Sequence, residues 1–278
     1  MNDFINLPGS MPEKLKGDEV TAKTQWTGSL YDSSYYYNPY MEKYRKEGNI
    51  KFPFFLTPDK HYVGAAWYQK EVNIPADWKG ERILLFLERP HIETTVWVNG
   101  QKTGMQNSLC VPHQYDITRY VRPGKCTITI RVDNRIKEIN VGPDSHSITD
   151  QTQGNWNGIV GRICLQTTPK TYFDDIQIYP EPEQKLARVK VVIKGTGTAK
   201  VKLSAESFNT NKKHIVPAIQ QEIKLNKGVT ETEMVLPMGN DMLLWDEFHP
   251  ALYKLKAEVT NGKKTEIKEI QFGMRRFE

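Results

Sequence analysis

Residues 127–134 read TITIRVDN, and this stretch decides the class of fold. Ile128, Ile130 and Val132 alternate with polar residues, and a Pro123-Gly124 turn precedes them. Side chains of a strand point alternately to opposite faces, so this period of two predicts a strand with one buried and one solvated face. We therefore expect partner strands on both sides of it in the sequence.

The same period recurs on both sides of this strand. A strand that ends at Val98 runs into Asn99-Gly100, a pair that strongly favours a tight hairpin. In the second half, apolar residues alternate with charged ones over 189–193 and 253–259, and an Asn261-Gly262 turn follows. About 100 residues of short strands with turns between them predict an immunoglobulin-like sandwich.

Helical signals are short and do not separate the strands. Residues 116–121 suit one helical turn capped by Asp116, and residues 40–47 suit a short surface helix. An α/β fold, in which helices alternate with strands, is thereby excluded. A length of 278 residues suits two domains, and the polar run TTPKT at 167–171 predicts the boundary.

Composition argues against several classes of protein. The net charge of +5 comes from 38 basic and 33 acidic residues spread along the chain, which predicts no nucleic-acid partner. No apolar run approaches the roughly 18 residues that span a bilayer, and residues 1–4 do not resemble a secretory leader. We expect the three cysteines, Cys110, Cys126 and Cys164, to be buried free thiols.

Five blocks of sequence carry a family resemblance. They are YVGAAWYQKEVNIPADWKGERILLFLERPHIETTVWVNGQKTG at 62–104, PHQYDITRYVRPGKCTITIRVDN at 112–134, GNWNGIVGRICL at 154–165, LWDEFHPALYKLKAEV at 244–259, and the terminal FGMRRFE. In this order they resemble glycoside hydrolase family 2, the family of β-galactosidases, β-glucuronidases and β-mannosidases. The resemblance implies an all-β fold: a sugar-binding, galactose-binding-like jelly-roll β-sandwich over 1–171, followed by an immunoglobulin-like β-sandwich over 172–278.

The resemblance also implies what this chain does and lacks. In the family a catalytic (β/α)₈ barrel follows these two domains and holds both catalytic glutamates, so we predict no catalytic residue here. The partners implied are carbohydrate and the barrel of the same polypeptide, and the implied activity of the whole is hydrolysis of O-glycosyl bonds. By the same resemblance we expect a periplasmic or secreted protein.

The residues themselves offer no obvious catalytic set. The six histidines are scattered, without metal-ligand spacing, and there is no glycine-rich phosphate loop. Retaining glycosidases need two carboxyl groups about 5–5.5 Å apart. Asp174 and Asp175 are adjacent in a predicted strand and point to opposite faces, while Asp144 and Asp150 share one predicted loop.

Residues 144–158, DSHSITDQTQGNWNG, form the first candidate sugar site. The segment combines polar side chains with Trp156, a mixture typical of sugar sites. In some family members the corresponding loop reaches the barrel, and its aspartate helps hold a sodium ion and the substrate. By match, Asp150 is that residue here. The resemblance implies no cofactor in this chain itself and Na⁺ or Mg²⁺ in the full-length parent. Alternatively, Trp156 fills the core under the next strand and Asn157 only forms a turn.

Two further groups are weaker candidates for contact with sugar. Asn107 and His113 lie in the polar stretch QNSLCVPH, where they either contact sugar or form hydrogen bonds within the loop. A tyrosine-rich stretch at 31–40 either stacks on sugar rings or packs against a neighbouring domain.

Three functions remain in competition. The first is a non-catalytic N-terminal portion of a family 2 glycosidase that supports the barrel and completes its substrate pocket. The second is a stand-alone carbohydrate-binding protein without enzymatic activity. The third is an adhesin-like pair of sandwiches, which the fold alone permits but which leaves the ordered motifs unexplained.

Overall fold

Strands dominate the part of the chain that the structure describes, and the chain divides into two compact units, Met1–Thr167 and Thr168–Glu278. The computed structural model describes residues 3–21, 23–26, 37–50, 58–137 and 155–276. Fifteen strands and four short 3₁₀ helices lie in these ranges. This confirms the all-β class predicted from the period of two.

The first unit is a sandwich of two four-stranded sheets. Its strands are β1 Gly9–Ser10, β2 Asp18–Glu19, β3 Lys60–His61, β4 Ala65–Ile74, β5 Arg82–His91, β6 Glu93–Val98, β7 Gln101–Asn107, β8 His113–Asp116, β9 Gly124–Asp133 and β10 Gly158–Thr168. One sheet has the order β1-β10-β5-β8 and the other the order β4-β9-β6-β7, while β2 and β3 form a separate ribbon. The two larger sheets form the jelly roll.

The core of the jelly roll follows from the alternation in β9. Ile128, Ile130 and Val132 are buried and belong to one cluster with Leu85 and Leu87 of β5 in the other sheet. Each fully buried side chain of this size stabilises the fold by about 1.5–3 kcal/mol. The stretch that predicted a half-buried strand therefore supplies the inner face of its sheet.

The predicted turn at Asn99-Gly100 joins β6 to β7. Both residues have positive φ, 48° and 79°, as a type I′ turn requires. The Asn99 side chain accepts a hydrogen bond from the backbone N–H of Thr127 at 2.9 Å. The turn is thus fixed to the start of the neighbouring strand β9.

The helices are single short 3₁₀ segments. Thr118–Tyr120 lies within the predicted turn, and the Asp116 carboxylate accepts from the Thr118 backbone N–H at 3.1 Å. Pro39–Tyr44 overlaps the predicted surface helix. In the part of the chain that the structure describes, no helix has the length and apolar character needed to cross a membrane.

The second unit is built around two strands of 23 residues each. Its strands are β11 Tyr172–Glu181, β12 Leu186–Phe208, β13 Ile215–Pro237, β14 Leu252–Asn261 and β15 Lys264–Phe272. The first part of β12 pairs with β11, and its second part pairs with β14. Strand β15 pairs with β14. Strand β13 pairs with β12 on both sides of the bend in β12. Val191 and Val201, from the two parts of β12, belong to one core cluster, so the bent hairpin forms both layers of the immunoglobulin-like sandwich.

Gly195 lies at the bend of β12. A Cβ atom at this position would lie 2.6 Å from Thr171 Oγ1 and 3.1 Å from Leu225 Cδ1. The register with β13 shifts between Gly195 and Gly197, and Gly195 faces Gly228. The bend therefore needs glycine because a side chain would collide with its neighbours.

The cysteines are all free but differ in burial. Cys126 is buried and Cys164 is half-buried, whereas Cys110 is exposed. The expectation of buried thiols is wrong for Cys110, because the loop after β7 turns this residue to the surface.

Candidate functional site

One end of the jelly roll brings the candidate residues together. Strand β5 ends there at His91, β6 begins at Glu93, β9 ends at Asp133 and β10 begins at Gly158. Glu93 and Asp133 are register partners, and the Ile92 N–H donates to the Asp133 carbonyl at 3.3 Å. We call this end of the sandwich the loop end.

A cleft of about 540 Å³ opens at the loop end. The residues that line it are Ser10, Arg89, Pro90, His91, Leu109, Cys110, Trp156 and Val160. The rings of His91 and Trp156 face each other with centroids 4.6 Å apart and an angle of 32° between their planes. The half-buried Trp156 thus contributes an aromatic wall to an open cleft.

His91 is held in its neutral form within this wall. Its side chain is only 8% exposed, and Nδ1 has no hydrogen-bond partner among the described residues. Burial lowers the pKa of His91 to about 4, although the nearby backbone of Trp156 opposes this shift. At neutral pH the imidazole therefore carries no charge and keeps a buried nitrogen unsatisfied.

An ion-pair network lies beside the cleft and centres on Asp133, which is fully buried. Its carboxylate receives Arg131 at 2.5 Å, Arg135 at 2.6 Å and Lys137 at 2.9 Å. Glu93 pairs with Arg131 at 2.7 Å and with Lys137 at 3.1 Å. Burial alone would raise the pKa of Asp133, but the hydrogen bonds from Arg135 and Lys137 outweigh it and hold that pKa well below its usual range.

Two asparagines join the points where the chain enters and leaves residues 138–154. Asn134 Nδ2 donates to Asn155 Oδ1 at 3.2 Å and to the Tyr62 carbonyl at 2.7 Å, and Asn155 Nδ2 donates to the Asn134 carbonyl at 3.1 Å. The Gly64 N–H donates to Asn134 Oδ1 at 2.8 Å. We call this arrangement the asparagine clasp, and it ties Asn134 and Asn155 to each other and Asn134 to Tyr62 and Gly64.

Asp150 and the ion predicted at it lie outside the described residues, as do Tyr31, Tyr35 and Tyr36 of the tyrosine-rich stretch. Among the residues that are described, no group of three or more histidine, cysteine or acidic side chains is arranged to hold a metal ion. The role of Asp150 therefore stays a prediction.

Asn157 belongs to the framework of the sandwich. It is fully buried, and its Nδ2 donates to the carbonyls of Gly64 at 2.8 Å and Val132 at 2.9 Å. Its Oδ1 accepts from the Tyr68 hydroxyl at 3.1 Å. Every polar atom of the Asn157 side chain is thus engaged within the sandwich, and contact between Asn157 and sugar stays a prediction.

His113 and Asn107 do not form a common site. His113 is fully buried, and its Nδ1 lies 2.6 Å from Thr94 Oγ1, which lies 2.6 Å from the Tyr115 hydroxyl. Burial lowers the pKa of His113, so the ring is neutral. Asn107 is exposed at the end of β7, and sugar contact by Asn107 or His113 stays a prediction.

Sequence reasoning missed two residues of the cleft, His91 and Arg89. Both lie in the last three residues of β5, a strand whose apolar run gave no sign of a site, and His91 lies 65 positions before its ring partner Trp156. The only available signal was the placement of both at the end of an apolar run, next to a loop.

Known proteins match both units. A family model described as "Glycosyl hydrolases family 2, sugar binding domain" matches residues 16–169, and one described as "Glycosyl hydrolases family 2" matches residues 171–275. Human β-glucuronidase is 28% identical over 229 residues, which cover 72% of this chain and 33% of that protein. The β-galactosidase large subunit of Latilactobacillus sakei is 25% identical, with coverage of 81% and 34%.

Solved structures share the fold. A glycosyl hydrolase family 2 member from Bacteroides cellulosilyticus aligns over 98% of this chain and 32% of its own, with a TM-score of 0.65 and 21% identity. The chain spans about one third of the length of the curated relatives it matches. What those proteins have beyond this third has no counterpart in the 278 residues.

Proposed function

This chain belongs to glycosyl hydrolase family 2, and from that premise we propose that it is the non-catalytic N-terminal portion of a β-glycosidase. The observation that carries the proposal is the match of both domains to the family over only a third of the length of the relatives. The remaining two thirds of those relatives leave room for a hydrolytic barrel. In this proposal the barrel belongs to the same polypeptide.

The carboxyl groups of the chain support a non-catalytic role. A retaining glycosidase needs a pair of carboxyl groups about 5–5.5 Å apart, one of them with a raised pKa to act as the acid. Among the described residues, every carboxyl group with a shifted pKa has it lowered: Asp3, Glu13, Glu88, Asp116, Asp133, Asp246 and Glu258. Such groups hold their negative charge and make poor proton donors near neutral pH.

In this proposal the loop end is the part of the jelly roll that contributes to the substrate pocket. The asparagine clasp joins Asn134 to Asn155 within the sandwich, and Asp150 lies between these two residues in the sequence. We infer that the segment between them completes the substrate pocket of the barrel, with Asp150 holding Na⁺ or Mg²⁺ and the substrate. Trp156, immediately after Asn155 of the clasp, lines the cleft at the loop end.

The proposal is tested by assaying the chain alone and the complete polypeptide encoded with it. Aryl β-glucuronides, β-galactosides and β-mannosides are the substrates, since they release a coloured phenol on hydrolysis. We expect the complete polypeptide to cleave at least one and the chain alone to cleave none above the uncatalysed rate. Hydrolysis by the chain alone, or a complete gene product of only 278 residues, would contradict the proposal.

Replacing Asp150 by alanine in the complete polypeptide is expected to lower kcat/KM about ten- to a hundred-fold, the usual cost of losing a group that orients a bound ion. Asp144→Ala, in the same segment, is the matched control and should leave kcat/KM unchanged. Steady-state kinetics at several Na⁺ concentrations give the measurement. Equal effects of the two substitutions would remove Asp150 from the pocket.

A stand-alone carbohydrate-binding protein is the second candidate, and one surface favours it. Trp67 of β4 is 60% exposed, and its ring centroid lies 5.0 Å from that of Trp97 of β6 on the outer face of their sheet. Sugar rings stack on exposed indoles of this kind. Micromolar binding of an oligosaccharide by the chain, lost in Trp67→Ala, would favour this candidate over the first.

A further inference from the structure

We propose that the jelly roll binds a free fatty carboxylate in an apolar cleft along one side of the sandwich, with Lys70 as the partner of the carboxylate. The cleft is lined by residues 3–8 and by parts of strands β4, β5, β9 and β10. Its volume of about 480 Å³ lies in the range of about 300–1,000 Å³ typical of small-molecule sites. This site goes beyond the proposed glycosidase role and uses only residues of the first unit.

The cleft exists because the two sheets are joined differently along their two sides. On one side, Gln106 of β7 bonds to Gln114 of β8 through its side chain: Nε2 donates to the Gln114 carbonyl at 2.5 Å, and Oε1 accepts from the Gln114 N–H at 3.3 Å. On the other side β4 ends one sheet, and the short β1 pairs with only two residues of β10 in the other. Residues 3–8 lie along this gap, where Ile5 and Leu7 pack against the core. They leave the cleft open beside them.

Apolar side chains from both sheets form the floor of the cleft. They are Leu85, Ile128, Ile130, Ile163 and Leu165. Two large aromatic side chains line the cleft and are open to solvent, since Phe4 is 95% exposed and Trp67 is 60% exposed. Exposed apolar surface that continues into a cleft is typical of a ligand-binding groove. An alkyl chain is the matching group, because it is stabilised by every methylene that it removes from water.

Lys70 supplies the charge that selects an anionic head group. Side chains alternate along β4, so Lys70 shares the face of Tyr68, which is buried in the core, while Lys70 itself lies exposed at the open side of the sandwich. Within the described ranges no carboxylate lies within ion-pair distance of Lys70, because Asp3, which also lines the cleft, pairs with Lys16 at 2.5 Å. An ammonium group at the rim of an apolar cleft complements a carboxylate and repels a cationic head group.

The binding test compares two ligands that have the same alkyl chain and opposite charges. Decanoate and decyltrimethylammonium are titrated into the protein by calorimetry, below the concentrations at which they form micelles. We expect decanoate to bind with a dissociation constant on the order of 0.1 mM and decyltrimethylammonium to bind at least about ten-fold more weakly. Octanoate, which is shorter by two methylenes, should also bind about ten-fold more weakly than decanoate. Equal affinity for the two charges, or no binding of decanoate, would overturn the inference.

Two substitutions separate the role of Lys70 from a general effect of protein charge. Lys70→Gln should weaken decanoate binding about ten-fold and should not weaken binding of decyltrimethylammonium. Lys125→Gln removes an exposed lysine from the neighbouring strand β9 and should leave decanoate binding unchanged. A lysine on an edge strand can also serve only to prevent pairing with another strand. In that case Lys70→Gln would leave the affinity for decanoate unchanged, which would contradict the site, as would equal losses in the two variants.

Cys164 gives an independent measurement of where the ligand binds. Its side chain is half-buried and lines the cleft, whereas Cys126 is buried and Cys110 is exposed. In a Cys110→Ser variant, the rate of alkylation by iodoacetamide therefore reports on Cys164. Decanoate at about ten times its dissociation constant should slow this reaction about ten-fold, and the same concentration should slow it only about two-fold when Lys70→Gln is added. An alkylation rate that decanoate does not change would overturn the inference.

Discussion

Replacing Asp133 by asparagine is expected to lower the free energy of unfolding of the jelly roll by about 3–5 kcal/mol. The carboxylate is fully buried and pairs with Arg131, Arg135 and Lys137. Removing the acidic partner from a buried ion-pair network leaves its cations without an opposite charge. This lowers the free energy of unfolding by more than the intact network adds to it. Glu93 alone would remain to face three cations.

Urea denaturation followed by tryptophan fluorescence measures this loss, because five of the six tryptophans lie in the first unit. Glu71→Gln is the matched control. It breaks an exposed ion pair with Lys125 at 2.9 Å in the same sheet and should cost less than about 1 kcal/mol. If Asp133→Asn cost no more than Glu71→Gln, the network would have no role in holding the loop end together.

Acidification from pH 6.5 to pH 4 is expected to lower the stability of the jelly roll by about 3 kcal/mol through His91 alone. The pKa of His91 falls from 6.5 to about 4 on folding, so the unfolded chain binds the proton more tightly throughout this window. Stability therefore rises with pH between 4 and 6.5 and no longer depends on His91 above it. The pKa of Asp133 is lowered, so Asp133 stays ionised across the window.

His91→Phe isolates this contribution, because the phenyl ring has no proton to bind. Urea denaturation at a series of pH values should give a variant whose stability falls less steeply toward pH 4 than that of the unchanged protein. The pKa of His113 is also lowered by burial, so a smaller slope remains in the variant. Two parallel stability curves would show that His91 is not buried in a neutral form.

Rules that depend only on neighbouring residues predicted much of the fold. The alternation of Ile128, Ile130 and Val132 and the Asn99-Gly100 pair depend only on residues next to each other, and both reappear as a buried strand face and a tight turn. Such features are predictable because strand period and turn conformation are set within a few residues.

The site was less predictable because its contacts join distant parts of the chain. Asn157 looked like a turn residue, but its side chain is bonded to Tyr68, 89 positions earlier. The pairing of His91 with Trp156 depends on which strands end at the same edge of the sandwich. Burial of a polar residue is decided by this tertiary arrangement, which the period of two does not encode.

The bent hairpin of β12 and β13 opposes local unfolding of either layer of the second unit. Where two layers are joined by loops, one layer can fray while the other stays intact. Here the pairing of β12 with β13 resumes after the register shift between Gly195 and Gly197, so one hairpin runs through both layers. Opening either layer therefore strains the hairpin that holds its partner. Amides as far apart as those of Val191 and Val201 should then exchange with solvent only when the whole domain unfolds cooperatively.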